Sequence, residues 1–264
     1  MKFALLDQNK IEATKGAKGL CPVCGSELIA KCGTVKINHW SHKAIRKCDP
    51  WWENETEWHR AWKNNFPIEW QECILWDEIT GEKHIADLLT SDNLVIEFQH
   101  SHIDPIERAK REKFYQNMVW VVDGTRLKRD YSRFLKGFNN CRRTNDPGNY
   151  LVDSPEECFP SSWIGSLVPV VFDFRGLESI EKSNDRRNFL YCLIPYQNNT
   201  KRLLRIITRE SFIKNAISGA LTEKPREPQK QPEKPPIQSN IIKKRESTHY
   251  FDPQKGRFVR KWRF

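Results

Sequence analysis

The chain has 264 residues, 30% of them charged and 38% hydrophobic, and a net charge of +10. That length suits one sizeable core with an appended module. No apolar run approaches the roughly 20 residues of a membrane span or forms a secretory h-region, so we expect a soluble, cytoplasmic protein with no membrane partner.

The charge is uneven. Residues 1–48 hold nine Lys/Arg against three Asp/Glu and residues 223–264 twelve against five, so ends of +6 and +7 flank a middle of −3. Basic ends around an acidic centre suit an enzyme that binds metal centrally and grips phosphate elsewhere. A solvated surface with basic tails accounts for the pattern equally well.

Residues 1–48 read as a zinc-ribbon-like β module, with short strands over Phe3 to Asp7 and Lys10 to Thr14. In a reducing compartment, close cysteine spacing is read first as metal binding. Cys21-Pro-Val-Cys24-Gly puts two thiolates on a tight turn, and His39-Trp-Ser-His42 supplies two imidazoles further on. Two such pairs satisfy tetrahedral Zn²⁺, although Cys32 and Cys48 are also available to displace a histidine. Four protein ligands leave no open position, so this zinc is expected to be structural. Free buried cysteines are the alternative.

Trp58, Ala61, Trp62, Asn65 and Phe66 then recur at helical spacing before Pro67. At 100° per residue, Glu55 lies nearer the apolar stripe than Glu57, and His59 follows one turn later where it can support Glu55. Both also fit the edge of an ordinary helix interface. Glu69 to Leu75, His84 to Thr90 and Leu94 to Gln99 read as a three-stranded meander joined by Asp-Glu-Ile-Thr-Gly and Ser-Asp-Asn turns. Pro105 to Asn117 reads as a helix and Met118 to Val122 as a strand, paired in parallel through that crossover.

The carboxylates of Asp87 and Glu97 sit on adjacent strands of this meander. Strand alternation puts Glu97 and Gln99 on one face and Ile96 and Phe98 toward the core on the other. Two converging carboxylates repel unless they share a proton or a cation, and Mg²⁺ or Mn²⁺ is the natural partner. Surface carboxylates on an exposed sheet face are the alternative.

Residues 126–150 are basic and turn-rich, ending at Asn-Asp-Pro-Gly-Asn. Leu167 to Phe174, Phe189 to Pro195 and Leu203 to Ile207 read as strands and Thr208 to Gly219 as a helix, with no chemistry assigned. Glu223 to Pro236 has five prolines among charged residues and reads as a linker. The tail interleaves Lys255, Arg257, Arg260, Lys261 and Arg263 with aromatics, a pattern that binds nucleic acid by stacking and charge, or that forms a hairpin docked on the fold. The expected divisions are thus 1–48 (zinc module), 49–125 (core), 126–222 (α+β extension), 223–249 (linker) and 250–264 (tail).

Taken in order, Ala-Leu-Leu-Asp, Cys21-Pro-Val-Cys24-Gly, His39-Trp-Ser-His42, Glu55-Thr-Glu-Trp-His59, Ala86-Asp87, Ile96-Glu97-Phe98-Gln99-His-Ser101, Arg111-Glu-Lys-Phe-Tyr115 and Val119-Trp120-Val121 resemble the competence protein CoiA-like family. The core of that family is placed in the PD-(D/E)xK nuclease superfamily. The resemblance spans residues 1 to about 124 and implies a restriction-endonuclease-like α+β or α/β fold, a mixed sheet flanked by helices. It further implies a Mg²⁺-dependent deoxyribonuclease acting in competence, recombination or phage defence. In it Asp87 and Glu97 look like the metal ligands, Glu55 like the first-helix acid and Gln99 like the occupant of the superfamily lysine position, while Arg111 and Tyr115 buttress the site or touch phosphate. Glutamine cannot take a proton, so the general base is open among His84, His100 and His102, with His100 expected on the face opposite Glu97. A non-catalytic DNA-binding protein and a subunit that docks a protein partner are the two competing functional classes.

Overall fold

A computed structural model describes residues 1–43, 48–51, 53–78, 80–195, 202–221, 249–252, 254 and 257–260. The chain separates into two compact units, Met1–Glu223 and Lys224–Phe264.

The first unit opens with five antiparallel strands, β1 (Phe3–Leu6), β2 (Asn9–Glu12), β3 (Lys18–Leu20), β4 (Glu27–Lys31) and β5 (His39–His42), in the order β2-β1-β3-β4-β5. Asp7 and Gln8 both take positive φ (48° and 66°), which matches the twist of a two-residue hairpin turn between β1 and β2. Gly19 is required by close approach, because a Cβ there would lie 2.6 Å from Cβ of Ala4. Ala4, Ala13, Cys21, Leu28 and Trp40 form the small core beneath.

Helix α1 (Glu57–Lys63) begins at a capping box in which the Thr56 hydroxyl accepts from the His59 amide and the His59 ring accepts from the Thr56 amide. The remaining elements are β6 (Gln71–Trp76), β7 (Lys83–Leu89), β8 (Val95–Gln99), α2 (Pro105–Tyr115), β9 (Met118–Asp123), α3 (Lys128–Phe138), β10 (Arg142–Arg143), β11 (Asn149–Val152), α4 (Pro155–Cys158), α5 (Ser161–Ile164), β12 (Val170–Asp173), β13 (Phe189–Ile194), β14 (Arg202–Thr208) and α6 (Arg209–Ile217). They build one mixed nine-stranded sheet, β10-β11-β14-β13-β12-β9-β8-β7-β6. The meander β6-β7-β8 is antiparallel and β9 runs parallel to β8, as the turns and the crossover helix require. The class is mixed α+β.

Three expectations change. Residues 126–222 join the same sheet rather than standing apart, since β12 pairs in parallel with β9 from Val170↔Trp120 to Asp173↔Asp123. The segment read as turn-rich contains α3, whose Tyr131, Phe134, Leu135 and Phe138 share one face and pack into the larger core under a basic exterior. The face carrying Glu97 and Gln99 is buried like the other, because all five residues of β8 are buried and Trp120 and Val122 lie beside them on β9.

The second core packs Trp58, Trp62 and Phe66 with Ile96, Phe98, Val121, Leu190 and Phe212. Its polar anchor is Asp173, wholly buried, which accepts from the indoles of Trp58 (2.9 Å) and Trp62 (3.1 Å) and from Arg209 (2.6 Å). Asp173→Ala removes the acceptor of both indoles, of Arg209 and of the Arg175 and Gly176 amides, and is expected to cost about 3–5 kcal/mol in urea denaturation. A loss under about 1 kcal/mol would show that water replaces the carboxylate.

In the second unit, β15 (His249–Asp252) and β16 (Arg257–Arg260) form an antiparallel hairpin that carries Arg257 and Arg260. The linker from 223 to 248, and Lys255, Lys261 and Arg263, lie outside the described residues. No helix among the described residues is long and apolar enough to cross a membrane.

Candidate metal centres

The first centre is a thiolate cluster. Ligand atoms of Cys21, Cys24, His42 and Cys48 all lie within 4.8 Å of one another. Sγ of Cys24 is 3.4 Å from Nε2 of His42, and the sulfurs of Cys21 and Cys48 are 3.6 Å apart. A tetrahedron with Zn–S bonds of about 2.3 Å has edges of about 3.8 Å, so the four donors fit such a metal. Burial opposes ionisation of Cys24, but hydrogen bonds from Ser26 and His42 pull its thiol down to about 6. Burial and the neighbouring Cys21 push Cys48 up to about 12. Three crowded thiols ionise together only with a cation among them.

His39 is a correction. Both histidines are expected as ligands, but His39–His42 is strand β5, on which positions three apart face opposite ways. His42 meets the cysteines, whereas Nδ1 of His39 lies 2.9 Å from the carbonyl of Ile37. Cys48 takes the fourth place.

The second centre is a cavity of about 50 Å³ whose wall includes Glu53, Glu55, His59, Lys63, Glu72, Asp87, Glu97 and Arg111. It opens where β7 and β8 splay. Their ladder pairs Leu88 with Ile96 and Leu89 with Val95. Beyond it carboxylates replace the backbone acceptors: Glu97 Oε1 accepts from the Asp87 amide and Asp87 Oδ2 from the Phe98 amide, each at 3.0 Å. The same register sets Glu97 opposite Asp87, and the pairing of Gln71 with Leu88 and Cys73 with Ala86 sets Glu72 opposite Asp87 on the other side. Three carboxylates therefore form a row across three strands.

Cations compensate part of this charge. Lys63 Nζ lies 2.9 Å from Asp87, 3.3 Å from Glu72 and 3.8 Å from Glu55. Burial opposes its charge, but these carboxylates hold its pKa above the ordinary lysine value. Arg111 reaches Glu97 at 3.3 Å and the carbonyl of Trp51 at 2.6 Å. Burial disfavours ionised Glu72, yet Lys63 and the amides of Lys2 and Phe3 hold it down to about 2. Glu97 goes the other way: burial and the adjacent Asp87 push it up to about 8.

The expected residues fall unequally on this site. Asp87, Glu97, Glu55, His59 and Arg111 all line the cavity. Glu55, however, precedes α1 and is clamped by Arg60 through both oxygens, at 2.9 and 3.2 Å. His59 does not support Glu55. Its Nε2 donates to the carbonyl of Phe98 at 3.0 Å while Nδ1 accepts from the Thr56 amide, so both ring nitrogens are occupied. Gln99 is outside the cavity wall, its amide nitrogen on Ser101 and its Oε1 buried without a partner. Tyr115 is buried against Trp51 and also outside the wall. His84 is held between Asp49 and Glu82.

Sequence reasoning missed Lys63, Glu72 and Glu53. Lys63 sits four residues after His59, the i,i+4 spacing that puts both on one helix face, but a lone lysine between apolar positions gives no sign of burial. Glu72 is legible only from register. Glu53 precedes the helix, accepts from the Ser101 amide at 2.6 Å and keeps Oε2 buried without a hydrogen bond, 3.8 Å from Nε2 of His59.

No solved structure is a significant match to the chain. The chain is 31% identical over 146 residues to competence protein CoiA of Bacillus subtilis, an alignment covering 51% of this chain and 39% of that protein's length. Residues 4–50 of this chain, which hold all four donors of the thiolate cluster, match the family described as "Competence protein CoiA, N-terminal domain".

Proposed function

We propose that the chain is a metal-dependent deoxyribonuclease of the PD-(D/E)xK, restriction-endonuclease-like type, working in competence as the name of its Bacillus relative indicates. The observation that carries this reading is the Asp87–Glu97 pair, two carboxylates abutting on splayed strands at the edge of a cavity. Asp87 and Glu97 would hold Mg²⁺ or Mn²⁺, which supplies charge to polarise a phosphodiester and to acidify a water. Gln99 lies on Ser101 outside the wall, so Lys63 and Arg111, held on the cavity's carboxylates, bring its positive charge and would counter that of a phosphate. His59 and His84 have no free ring nitrogen to act as base. Glu53 has one carboxylate oxygen on the Ser101 amide and the other without a hydrogen bond in the cavity wall, 3.8 Å from Nε2 of His59, where that second oxygen would take the proton of the attacking water.

The test is cleavage of linear, circular and single-stranded DNA by the purified chain, with a divalent-metal series and EDTA. Cleavage that needs metal and falls to background in Asp87→Ala and Lys63→Met supports the assignment, and an unchanged rate in Asp87→Ala overturns it. One observation favours a second reading, a nucleic-acid-binding protein that does not cut: all four oxygens of Asp87 and Glu97 already have protein partners. Salt-sensitive DNA binding without metal-dependent cleavage would select that reading.

A further inference from the structure

Strands β8, β9 and β12 run parallel, so their carboxyl ends form one row. Ligands of such sheets bind outside that end. Here β8 is followed by His100, β9 by Gly124-Thr125-Arg126 and β12 by Phe174-Arg175-Gly176. The loops touch: the Gly124 amide donates to the Asp173 carbonyl at 2.9 Å, and a Cβ on Gly176 would lie 2.9 Å from the Thr125 side chain.

The carboxylates at this end are spent on internal partners. Asp123 accepts from His100 (2.8 Å) and from the amide and hydroxyl of Thr125. Asp173 is taken by two indoles and Arg209, and Glu53 by the Ser101 amide. The Arg126 and Arg175 side chains are not spent, and His100 keeps one ring nitrogen. His100 is 34% exposed, with Nδ1 committed to Asp123 and Nε2 left free. Arg126 is exposed, and Nε of Arg175 is buried without a hydrogen-bond partner. Among the described residues neither arginine has a carboxylate partner. The row adjoins the cavity, since the rings of His100 and His59 are 6.1 Å apart and Glu53, bound to Ser101, lines the cavity wall.

We propose that the carboxyl end of β8, β9 and β12 is a phosphate subsite, with His100, Arg126 and Arg175 as its contacts, that holds the nucleic-acid backbone beside the carboxylate cavity. The occupant rests on the reading of that cavity as a phosphodiester site. Fork-shaped guanidinium donors and an imidazole held by a carboxylate are suited to phosphate oxygens.

The experiment is binding of a fluorescent single-stranded oligonucleotide to the full chain in EDTA across a salt series. The double variant Arg126→Gln, Arg175→Gln should bind about tenfold more weakly. The slope of log K against log salt should shrink by about 1.4, about 0.7 for each lost contact. Arg142→Gln with Arg143→Gln, an equal charge change on the edge strand β10, should leave the slope unchanged. Arg175→Lys should recover part of the loss, and melting curves must match the wild type. Equal slopes in the two double variants, or binding of inorganic phosphate without the strand, overturn the subsite. Wild-type cleavage with unaltered binding in the subsite variants refutes the subsite and leaves the nuclease reading intact. Loss of binding in those variants, with no metal-dependent cleavage by the wild type, refutes the nuclease reading alone.

Discussion

Replacing Cys48 with serine is expected to strip one equivalent of zinc from the protein and unfold its N-terminal sheet, while His39→Ala leaves both in place. The contrast follows from strand geometry, because only one histidine of β5 can face the cysteines. The module is too small to stand on its apolar core of Ala4, Ala13, Leu28 and Trp40. Structural zinc contributes about 10–16 kcal/mol of apparent binding energy in isolated finger peptides. Part of the sheet is also anchored elsewhere, by the Lys2 and Phe3 amides on Glu72 and by Lys2 Nζ on Asn64 and Gln71, so the loss here should be smaller than that. Elemental analysis, with the visible spectrum of the cobalt-substituted protein, reads ligand number directly. Full metal content in Cys48→Ser, or its loss in His39→Ala, would return the fourth position to His39.

That ligand exchange shows where sequence stops being legible. Spacing places two cysteines together because the turn between them is local. Whether the other donors sit on a turn or a strand depends on pairing with β4, a tertiary fact that reverses one side chain. The meander and the crossover were legible because period-two runs, Gly- and Asn-marked turns and Pro at a helix start are local signals. Helix α3 was hidden because its apolar stripe is diluted by four Lys and Arg. The carboxylate site divides in the same way. Asp87 and Glu97 stand out as polar residues in apolar strands, whereas Glu72 joins them only through register and Lys63 only through the seating of α1 on the sheet. Charges recruited from separate elements leave little trace in any one stretch of sequence.

The same site should make the metal-free protein less stable as pH rises. Burial and Asp87 raise Glu97 to about 8, against about 4.3 in an unfolded chain. The native state therefore binds the Glu97 proton more tightly than the unfolded state. Its contribution to stability is fully present below pH of about 4.3 and is lost progressively as pH climbs through about 8. In EDTA the melting temperature should fall across that window. If the proposed cation binds, Mg²⁺ or Mn²⁺ should restore it, by more at pH 8 than at pH 6, because a cation would compensate the charge that Glu97 gains on losing its proton. Glu97→Gln removes the titrating group while keeping an acceptor for the Asp87 amide. It should melt higher than wild type at pH 8 in EDTA, show no metal-induced rise and fail to cleave DNA, since a site built to hold a cation is destabilising without one. A wild-type melting temperature as flat with pH as that of Glu97→Gln would mean that Glu97 does not hold its proton. A metal-induced rise that survives in Glu97→Gln would place the cation elsewhere.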